Sequence, residues 1–219
     1  MTTVDVTPAR PTAPTRRAVK GQIRGDRTRQ LIIDETIRCV REVGFASTSA
    51  SHIAERAGVT WGVIQYHFGD RNAVLMAVVD HGYDLLRDAI DQVEVPVGSV
   101  YERVQAVVDA GWNAFSNPAS LAAFEILVAT RASREPGLDQ HLADLGEQLA
   151  RLGRALDPLG RGRRRQAIGN LLWAALRGLA LAQMVVREPL DFTYERHALV
   201  DLLTIHLESR GHGETSPRS

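Results

Sequence analysis

The sequence predicts an all-α protein, built as a three-helix helix-turn-helix head followed by a helical-bundle body, with about nine helices in total. Apolar residues recur at helical spacing through most of the chain, and Gly- and Pro-containing breaks separate these segments. No segment alternates polar and apolar residues over a useful length, as a strand would. We therefore expect a head at residues 26–72 and a body at residues 73–210, which binds a ligand and dimerises.

The two ends of the chain are predicted to be disordered tails, at residues 1–25 and 211–219. The N-terminal one is rich in Pro, Thr and Arg and has no periodicity. Its basic side chains could reach the minor groove or the phosphates of DNA, as basic arms do, or could simply be solvated. The basic residues of this tail are Arg10, Arg16, Arg17, Lys20 and Arg24.

The distribution of charge favours a nucleic-acid partner, although the net charge of the 219 residues is zero. The first 72 residues contain eleven Arg and Lys against seven Asp and Glu. A basic front on an acidic body is typical of proteins that bind nucleic acid. Cys39 is the only cysteine, so an internal disulfide is impossible, which fits a reducing cytoplasm.

The most apolar run covers residues 171–186 and is predicted to be a buried helix of a soluble protein. It is shorter than the ~20 residues that a membrane span needs. It also contains Arg177, and a charge near the centre of a membrane helix costs about 2.5–3.5 kcal/mol. We therefore expect a cytoplasmic protein with no membrane partner.

The helix boundaries of the head are predicted from capping residues and from a helix-ending glycine. The first helix begins at about Asp26 and ends at Gly44, and either Thr48 or Ser49 caps a short second helix. Thr60 caps a third helix that runs to about Phe68. A long apolar fourth helix follows.

The stretch "GVTWGVIQYHFGDR", residues 58–71, indicates a groove-reading helix. Ile64 and Phe68 can be buried, which leaves an unusual polar and aromatic set exposed. Gln65 offers a paired donor and acceptor to a base edge, and Tyr, His and Thr side chains donate to phosphate oxygens. Gly62 allows a close backbone approach. The alternative is that Tyr66 and His67 are partly buried and structural.

With the preceding short helix, this stretch forms a helix-turn-helix unit. Residues 47–79, "STSASHIAERAGVTWGVIQYHFGDRNAVLMAVV", resemble the DNA-binding segment of TetR/AcrR-type transcriptional repressors. The shared features are a Thr/Ser cap, an Ile-Ala pair, Ala-Gly-Val at the turn and a Tyr-His-Phe triplet at a fixed offset. The resemblance covers about residues 27–80. It implies a three-helix head, a linking fourth helix and a body that binds a ligand and dimerises.

The resemblance also implies roles for single residues of the head. Two departures from the family pattern are notable: Trp61 is bulky where many relatives carry a polar residue, and Gly69 stands where Lys is common. The residues implied to contact phosphate are Thr48, Ser49, Thr60, Tyr66, His67 and Arg71. The residues implied to contact bases are Trp61, Gly62, Val63 and Gln65.

The body is expected to hold a mostly apolar pocket with few polar anchors. Two charged residues, Glu125 and Arg177, lie inside apolar runs, and each needs a partner if it is buried. They either anchor a ligand or, as we prefer, pair with each other or with Asp109 or Asp201. The apolar residues predicted to line the pocket are Trp112, Phe115, Phe124, Val128 and Trp173.

Other classes of site find no support in the sequence. The seven histidines show no metal-ligand spacing, and no catalytic constellation, cofactor motif or phosphate loop occurs. The basic run at residues 160–165 is interpreted as a solvated loop. We therefore predict no metal, no cofactor and no enzymatic activity.

The resembled fold pairs its last two helices across a two-fold axis. A homodimer would place two recognition helices ~34–36 Å apart and require a palindromic operator. The protein is predicted to be a transcriptional regulator that binds double-stranded DNA. It is expected to be a repressor that leaves its operator when an unidentified small apolar or amphipathic effector shifts the fourth helix. The alternatives are an architectural or partner-recruiting protein without a small ligand, and a helical enzyme that uses Glu125 or His141.

Overall fold

The computed structural model describes residues 16–132, 163–186 and 188–211, together with Leu156. Every element in these ranges is helical, which confirms the all-α prediction. The head contains α1 (Arg16–Val43), a 3₁₀ turn (Phe45–Ser47), α2 (Ala50–Arg56) and α3 (Trp61–Phe68). The rest contains α4 (Arg71–Asp91), α5 (Val100–Phe115), α6 (Pro118–Ala129), α7 (Arg163–Val185) and α8 (Thr193–Gly211).

The first helix is longer than the sequence analysis predicted. It begins at Arg16, so the prediction of a disordered tail is wrong for residues 16–25, and residues 1–15 lie outside the described part. The segment contains good helix formers such as Arg, Lys, Gln and Ala. Its end packs against α3 near Gly25, where an added Cβ would lie 3.8 Å from the His67 ring. Such tertiary contact overrides the helix cost of glycine.

The three helices of the head surround a small buried core. Ile32, Ile53 and Ile64 are each 0% exposed and bring one side chain from α1, α2 and α3 together. Gly58, at a φ of +62°, makes the turn between α2 and α3. A left-handed backbone of this kind favours glycine, because a Cβ is strained there. Burial also raises the pKa of the Cys39 thiol.

Ion pairs join α1 to α2 on the side of the head. The Arg56 guanidinium donates to both carboxylate oxygens of Glu42, at 2.6 and 3.1 Å. Its Nε also lies 3.5 Å from Glu35, which in turn pairs with Arg38. These hydrogen bonds lower the pKa of Glu42 and raise that of Arg56. Arg56 therefore serves the packing of the head.

Helix α4 connects the head to the body and packs closely along α6. A Cβ on Gly82 would lie 2.8 Å from the Ala123 Cβ and 3.1 Å from the Ala119 carbonyl oxygen. Only a glycine allows this approach of the two helices. Ile33, Ile37 and Val40 of α1 share the core cluster formed there. The two helices that meet the head, α4 and α6, therefore form a closely packed pair.

The body core lies among α4, α5, α6, α7 and α8. Phe115 is 1% exposed and packs with Trp173, Leu172 and Leu176 of α7. Val200 and Leu203 bring α8 into the same cluster. Leu156, described singly, also belongs to it. These residues show that the described helices after residue 73 pack together as a bundle.

Helix α7 is less buried than the sequence predicted. Its segment Gln166–Val185 is long and apolar enough to cross a membrane by length and composition, and 33% of its apolar stretch is buried inside the protein. One such helix is weak support for a membrane protein, because core helices of soluble proteins can have the same length and composition. The prediction of a buried helix is correct for the side that carries Leu172 and Leu176 and wrong for the side that carries Leu171 and Val185, which lies on the surface.

Candidate nucleic-acid interface and body cluster

The exposed side of α3 presents three of the four residues implied to contact DNA bases, together with Tyr66, which was implied to contact phosphate. Tyr66 is 85% exposed and Trp61 is 37% exposed, whereas Ile64 on the opposite side is fully buried. Gly62 and Gln65 are exposed between them. One apolar side of this eight-residue helix is thus buried in the head. The other side exposes aromatic rings, an amide side chain and the backbone at Gly62. This is the chemistry needed in a major groove.

Two residues of α3 lie at the margin of this surface. Val63 is half-buried and packs against the head core, so it is not directed outward with Gly62 and Gln65. His67 is half-buried and its ring meets the Tyr66 ring edge-on, with centroids 5.1 Å apart. His67 can therefore hold Tyr66 in place while keeping a partly accessible imidazole.

The caps of α2 and α3 differ in their accessibility. Ser49 caps α2 by accepting a hydrogen bond from the His52 amide at 3.1 Å, and its hydroxyl stays exposed. Thr60 is exposed at the start of α3, with no side-chain cap hydrogen bond. Thr48 is 0% exposed, and its hydroxyl donates to the Gly44 carbonyl at 2.9 Å. The expected phosphate contact of Thr48 is therefore wrong, because its side chain closes the preceding turn.

Arg71 has an internal role that the sequence did not reveal. Its Nε donates to the Thr48 carbonyl at 2.7 Å and one terminal nitrogen donates to the Phe45 carbonyl at 3.2 Å. The guanidinium also lies 5.0 Å from the centroid of the Phe45 ring. Arg71 thus fastens the start of α4 to the 3₁₀ turn, and its predicted phosphate contact remains a prediction for its second terminal nitrogen alone.

Glu125 reaches from the body to the head. Its Oε1 accepts a hydrogen bond from the Phe45 amide at 2.6 Å, across 80 positions of the chain. In the part of the chain that the structure describes, Glu125 forms no ion pair with Arg177, so the preferred pairing of the sequence analysis is wrong for Glu125. The carboxylate instead completes the 3₁₀ turn that Arg71 holds from the other side.

Three of the predicted pocket residues form one aromatic cluster in the body. The Phe115 ring stacks on Phe124 at 5.9 Å between centroids and meets Trp173 edge-on at 4.3 Å. Phe115 and Trp173 are almost fully buried, and Phe124 is half-buried. The cluster joins α5, α6 and α7, as a pocket between the helices of a bundle would require.

A second aromatic group lies beside the α8 N-terminus and includes residues that the sequence did not single out. Trp112 meets Phe192 edge-on at 5.6 Å. Arg196 lies 5.4 Å from the Trp112 ring and 3.3 Å from the Asp109 carboxylate. No sequence signal found Arg196, because its partners are distant in the chain.

Two predicted pocket residues lie on the surface instead. Val128 is 71% exposed, because it follows the last buried turn of α6. Arg177 is exposed on α7, so its charge remains in water and needs no buried partner. The prediction that these residues line an internal pocket is wrong for this chain taken alone.

An exposed apolar face runs along each of the last two helices. On α7 it consists of Leu171, Ala174, Gly178 and Val185, of which Leu171 is 60% and Val185 85% exposed. On α8 it consists of Tyr194, Ala198, Leu202 and Ile205, with Leu202 67% and Ile205 64% exposed. Their spacing places each set on one side of its helix. We call the two sets together the α7–α8 face.

The head is a helix-turn-helix unit with a polar and aromatic reading surface, and the body is a helical bundle. Such a chain belongs to the class of DNA-binding regulators. Within the ranges that the structure describes, no group of three or more His, Cys, Asp or Glu side chains could hold a metal ion.

Comparison with known proteins narrows the class to a family. Residues 32–78 match the sequence profile described as "Bacterial regulatory proteins, tetR family". The HTH-type transcriptional regulator BetI of Escherichia coli strain K12 is 32% identical over 187 residues, which cover 82% of this chain and 93% of that protein. BetI of E. coli strain UMN026 is 38% identical over 87 residues, which cover 39% of this chain and 45% of that protein. The chain belongs to the TetR family of bacterial transcriptional regulators.

Solved structures show the same fold at low sequence identity. A structure reported as the molecular basis for control of antibiotic production by bacterial hormones is 23% identical, with a TM-score of 0.65 over 83% of this chain and 97% of that one. A transcriptional regulator from Rhodococcus sp. Rha1 is 20% identical, with a TM-score of 0.64 over 82% of this chain and 95% of that one. Because these matches cover most of this chain, they show that its helical body, like its head, has the fold of these structures.

Proposed function

We propose that the protein is a homodimeric repressor that binds a palindromic operator and leaves it when a small apolar or amphipathic molecule enters the body. The observation that carries the proposal is the exposed side of α3, where Trp61, Gly62, Gln65 and Tyr66 form one surface. Gln65 supplies the hydrogen-bonding edge that distinguishes bases, and Tyr66 supplies a donor for a phosphate oxygen. Ser49 and Thr60 add accessible hydroxyls at the two helix starts.

The α7–α8 face supports the homodimer. Burying a leucine or isoleucine side chain contributes about 1.5–3 kcal/mol, and the face offers Leu171, Leu202 and Ile205, all more than half exposed. Small residues between them allow two such helices to approach. An isologous contact of this face with its copy makes a two-fold dimer, and two-fold symmetry in the protein requires a palindrome in the DNA.

The aromatic cluster supports an apolar effector. Phe115, Phe124 and Trp173 present ring surfaces where α5, α6 and α7 meet, and Phe124 keeps part of its ring accessible. Pockets for small molecules in helical bundles combine such side chains with few polar groups. BetI, the relative that aligns over most of this chain, carries the name of a transcriptional regulator, which fits regulation by binding.

The path from effector to DNA runs through α6 and α4. Phe124 of the aromatic cluster is followed directly by Glu125, which holds the 3₁₀ turn of the head. Gly82 keeps α4 against α6, and Arg71 fastens the start of α4 to the same turn. An effector that displaces Phe124 would therefore move the contacts that orient the head. Coupling of this kind between two sites typically amounts to ~1–3 kcal/mol.

Selection of a random duplex library on the purified protein tests the proposal. The expected result is one enriched palindrome, which then serves as the probe for a library of apolar and amphipathic small molecules. A compound that lowers the affinity for this palindrome identifies the effector class. Enrichment of an unpatterned pool, or a palindrome whose binding no compound weakens, contradicts the proposal and favours the architectural alternative.

A further inference from the structure

Trp61 begins α3, at the end of the helix that would meet base edges. It is the first residue of the helix, and the N-terminal residues of a helix in the major groove are those that contact the bases. Its side chain is 37% exposed, so most of the indole is covered by the head. Among the residues that the structure describes, none gives Trp61 a hydrogen bond, a ring contact or a neighbouring cation. The accessible part of the indole is therefore available to a partner outside the chain.

The chemistry of the indole limits what it can distinguish in DNA. An indole has one hydrogen-bond donor and no acceptor. Base pairs differ in the major groove by their patterns of donors and acceptors and by the 5-methyl group of thymine. A single donor fits the acceptors of guanine, adenine and thymine alike, so it selects poorly among them. An apolar side chain, by contrast, selects the thymine methyl, and the methyl is therefore the feature that Trp61 can read.

Gln65 lies beside Trp61 on the exposed side of α3. Residues four apart are neighbours on a helix surface, and both side chains are exposed. Their Cα atoms are ~6 Å apart along the helix axis at ~1.5 Å per residue, which corresponds to about two base-pair steps of ~3.4 Å. Gln65 is suited to the adjacent donor and acceptor of adenine. The base pair that Trp61 meets should therefore lie within about two base pairs of the one that Gln65 reads.

The surface next to Trp61 leaves room for such a contact. A Cβ on Gly62 would have one neighbour within 4 Å, the Thr60 hydroxyl at 3.7 Å. Bare backbone at this point allows α3 to approach the bases closely. Tyr66, which is suited to phosphate, follows five residues after Trp61 and so lies ~140° away around the helix. Trp61 is thus placed on the side of Gln65 and the bases, away from the phosphate-binding edge of the surface.

We propose that Trp61 reads the 5-methyl group of a pyrimidine in each half of the operator, so that affinity depends on this methyl as well as on hydrogen bonds to base edges. The inference rests on the proposed DNA-binding function and assigns a specificity to one residue of its surface. Contact with the ring removes the methyl from water, and burial of one such carbon strengthens binding about fourfold. The two half-sites of a symmetric operator multiply this gain to about sixteenfold.

Replacement of thymine by uracil in the selected operator tests the inference, because uracil keeps the base pair and lacks only the methyl. Each thymine is replaced symmetrically in both half-sites, and the dissociation constant of the wild-type protein is measured. One symmetric pair of replacements should weaken binding about sixteenfold. That pair should lie within about two base pairs of the position at which Gln65→Ala loses its preference.

Cytosine provides the reverse test at the same pair of positions. A C·G pair changes the hydrogen-bonding pattern of the groove, and 5-methylcytosine differs from cytosine only by a methyl group where thymine has one. The wild type should therefore bind the operator with 5-methylcytosine about sixteenfold more tightly than the same operator with cytosine. The methyl itself, whichever base carries it, is then what the protein senses.

Two variants assign the effect to Trp61. Trp61→Ser removes the ring and should bind the thymine and uracil operators with equal affinity. Gln65→Ala, changed one turn away, should keep the wild-type ratio between the two affinities. Equal thermal midpoints verify that both variants fold, and the wild-type comparison requires no variant.

Three results would overturn the inference. They are equal affinity of the wild type for the thymine and uracil operators, a ratio that persists in Trp61→Ser, and a selected operator with no thymine within about two base pairs of the position read by Gln65. A wild-type protein that selects no specific duplex would instead overturn the proposed function.

Discussion

The Glu125 carboxylate accepts a hydrogen bond from the Phe45 amide at 2.6 Å, and this contact joins α6 of the body to the 3₁₀ turn of the head. The turn lies directly before α2. A terminal nitrogen of Arg71 donates to the Phe45 carbonyl at 3.2 Å. The Phe45 backbone therefore forms hydrogen bonds with one side chain of α4 and one of α6, the two helices that pack together in the body. A relative displacement of α4 and α6 would therefore displace the 3₁₀ turn, which positions the helix-turn-helix unit.

Removing the Glu125 acceptor should loosen the head and weaken its connection to the body. Glu125→Ala leaves the partly buried Phe45 amide without its partner, which costs about 1–3 kcal/mol of unfolding free energy. Glu125→Gln keeps a carbonyl oxygen that can accept the same bond and should cost less. Urea unfolding measures the loss, and hydrogen exchange of the Phe45 amide locates it. Unchanged exchange in Glu125→Ala would rule out the contact.

A methyl group at Gly82 should force α4 away from α6. The added Cβ would lie 2.8 Å from the Ala123 Cβ, and overpacking of this kind costs about 1–3 kcal/mol. Gly62→Ala is the matched control, because its nearest neighbour would be the Thr60 hydroxyl at an ordinary 3.7 Å. Replacing a helical glycine without a clash stabilises by about 0.5–1 kcal/mol. Similar thermal midpoints for the two variants would contradict this packing.

Charges placed on the α7–α8 face should separate the dimer. Leu202→Glu/Ile205→Glu introduces two carboxylates where the proposed interface buries apolar surface, and standard interfaces bury about 1,200–2,000 Å². We expect a monomer in sedimentation velocity, with weaker binding to the palindrome. His197→Glu, an exposed position on another side of α8, should stay dimeric. A double variant that sediments as the wild-type dimer would exclude this face.

The pair of Arg56 and Glu42 should make the stability of the head depend on pH. The Arg56 hydrogen bond lowers the pKa of Glu42 below its ordinary value of 4.5. A carboxylate with a lowered folded pKa contributes stability that is complete above about pH 4.5 and is lost as the pH falls through the folded pKa. Glu42→Gln should flatten this part of the pH profile in thermal unfolding. An identical acid profile in the variant would show that the pair contributes nothing.

The helix-turn-helix unit could be predicted from the sequence because its signals are local. Gly58 at the turn, Ser49 at the cap and the apolar spacing of Ile53 and Ile64 all lie within a few residues of one another. Local signals and packing agree here, as they do in most well-folded elements. The exposed side chains of α3 could be predicted from the same spacing, because a helix of eight residues can bury only one of its sides.

The roles of Arg71 and Glu125 could not be predicted, because each depends on a backbone group far away in the chain. Thr48 was misassigned although its partner is only four residues away. Thr48 has the composition of a phosphate contact, but its hydroxyl turns back to the Gly44 carbonyl. Glu125 lies in an apolar run, yet its partner is a backbone amide of the head. A backbone amide has no sequence signature, so residue identity alone cannot reveal such a bond.

The extent of α1 and the exposure of α7 were misjudged for another reason. Composition suggested a disordered tail through residue 25, whereas packing of Gly25 and Arg29 on α3 accompanies a helix that begins at Arg16. Apolar character suggested burial of α7, although Leu171 is 60% exposed in the single chain. Apolar composition does not distinguish a core from a surface that a second subunit covers.

The most direct test of base reading by α3 is duplex selection with Gln65→Ala beside the wild type. Gln65 should read one base in each half of the operator, so the variant should lose preference at one symmetric pair of positions and keep the others. Tyr66→Phe, which removes only a hydroxyl, should weaken binding on all sequences alike. A Gln65→Ala protein that enriches the same palindrome with every preference intact would contradict the account.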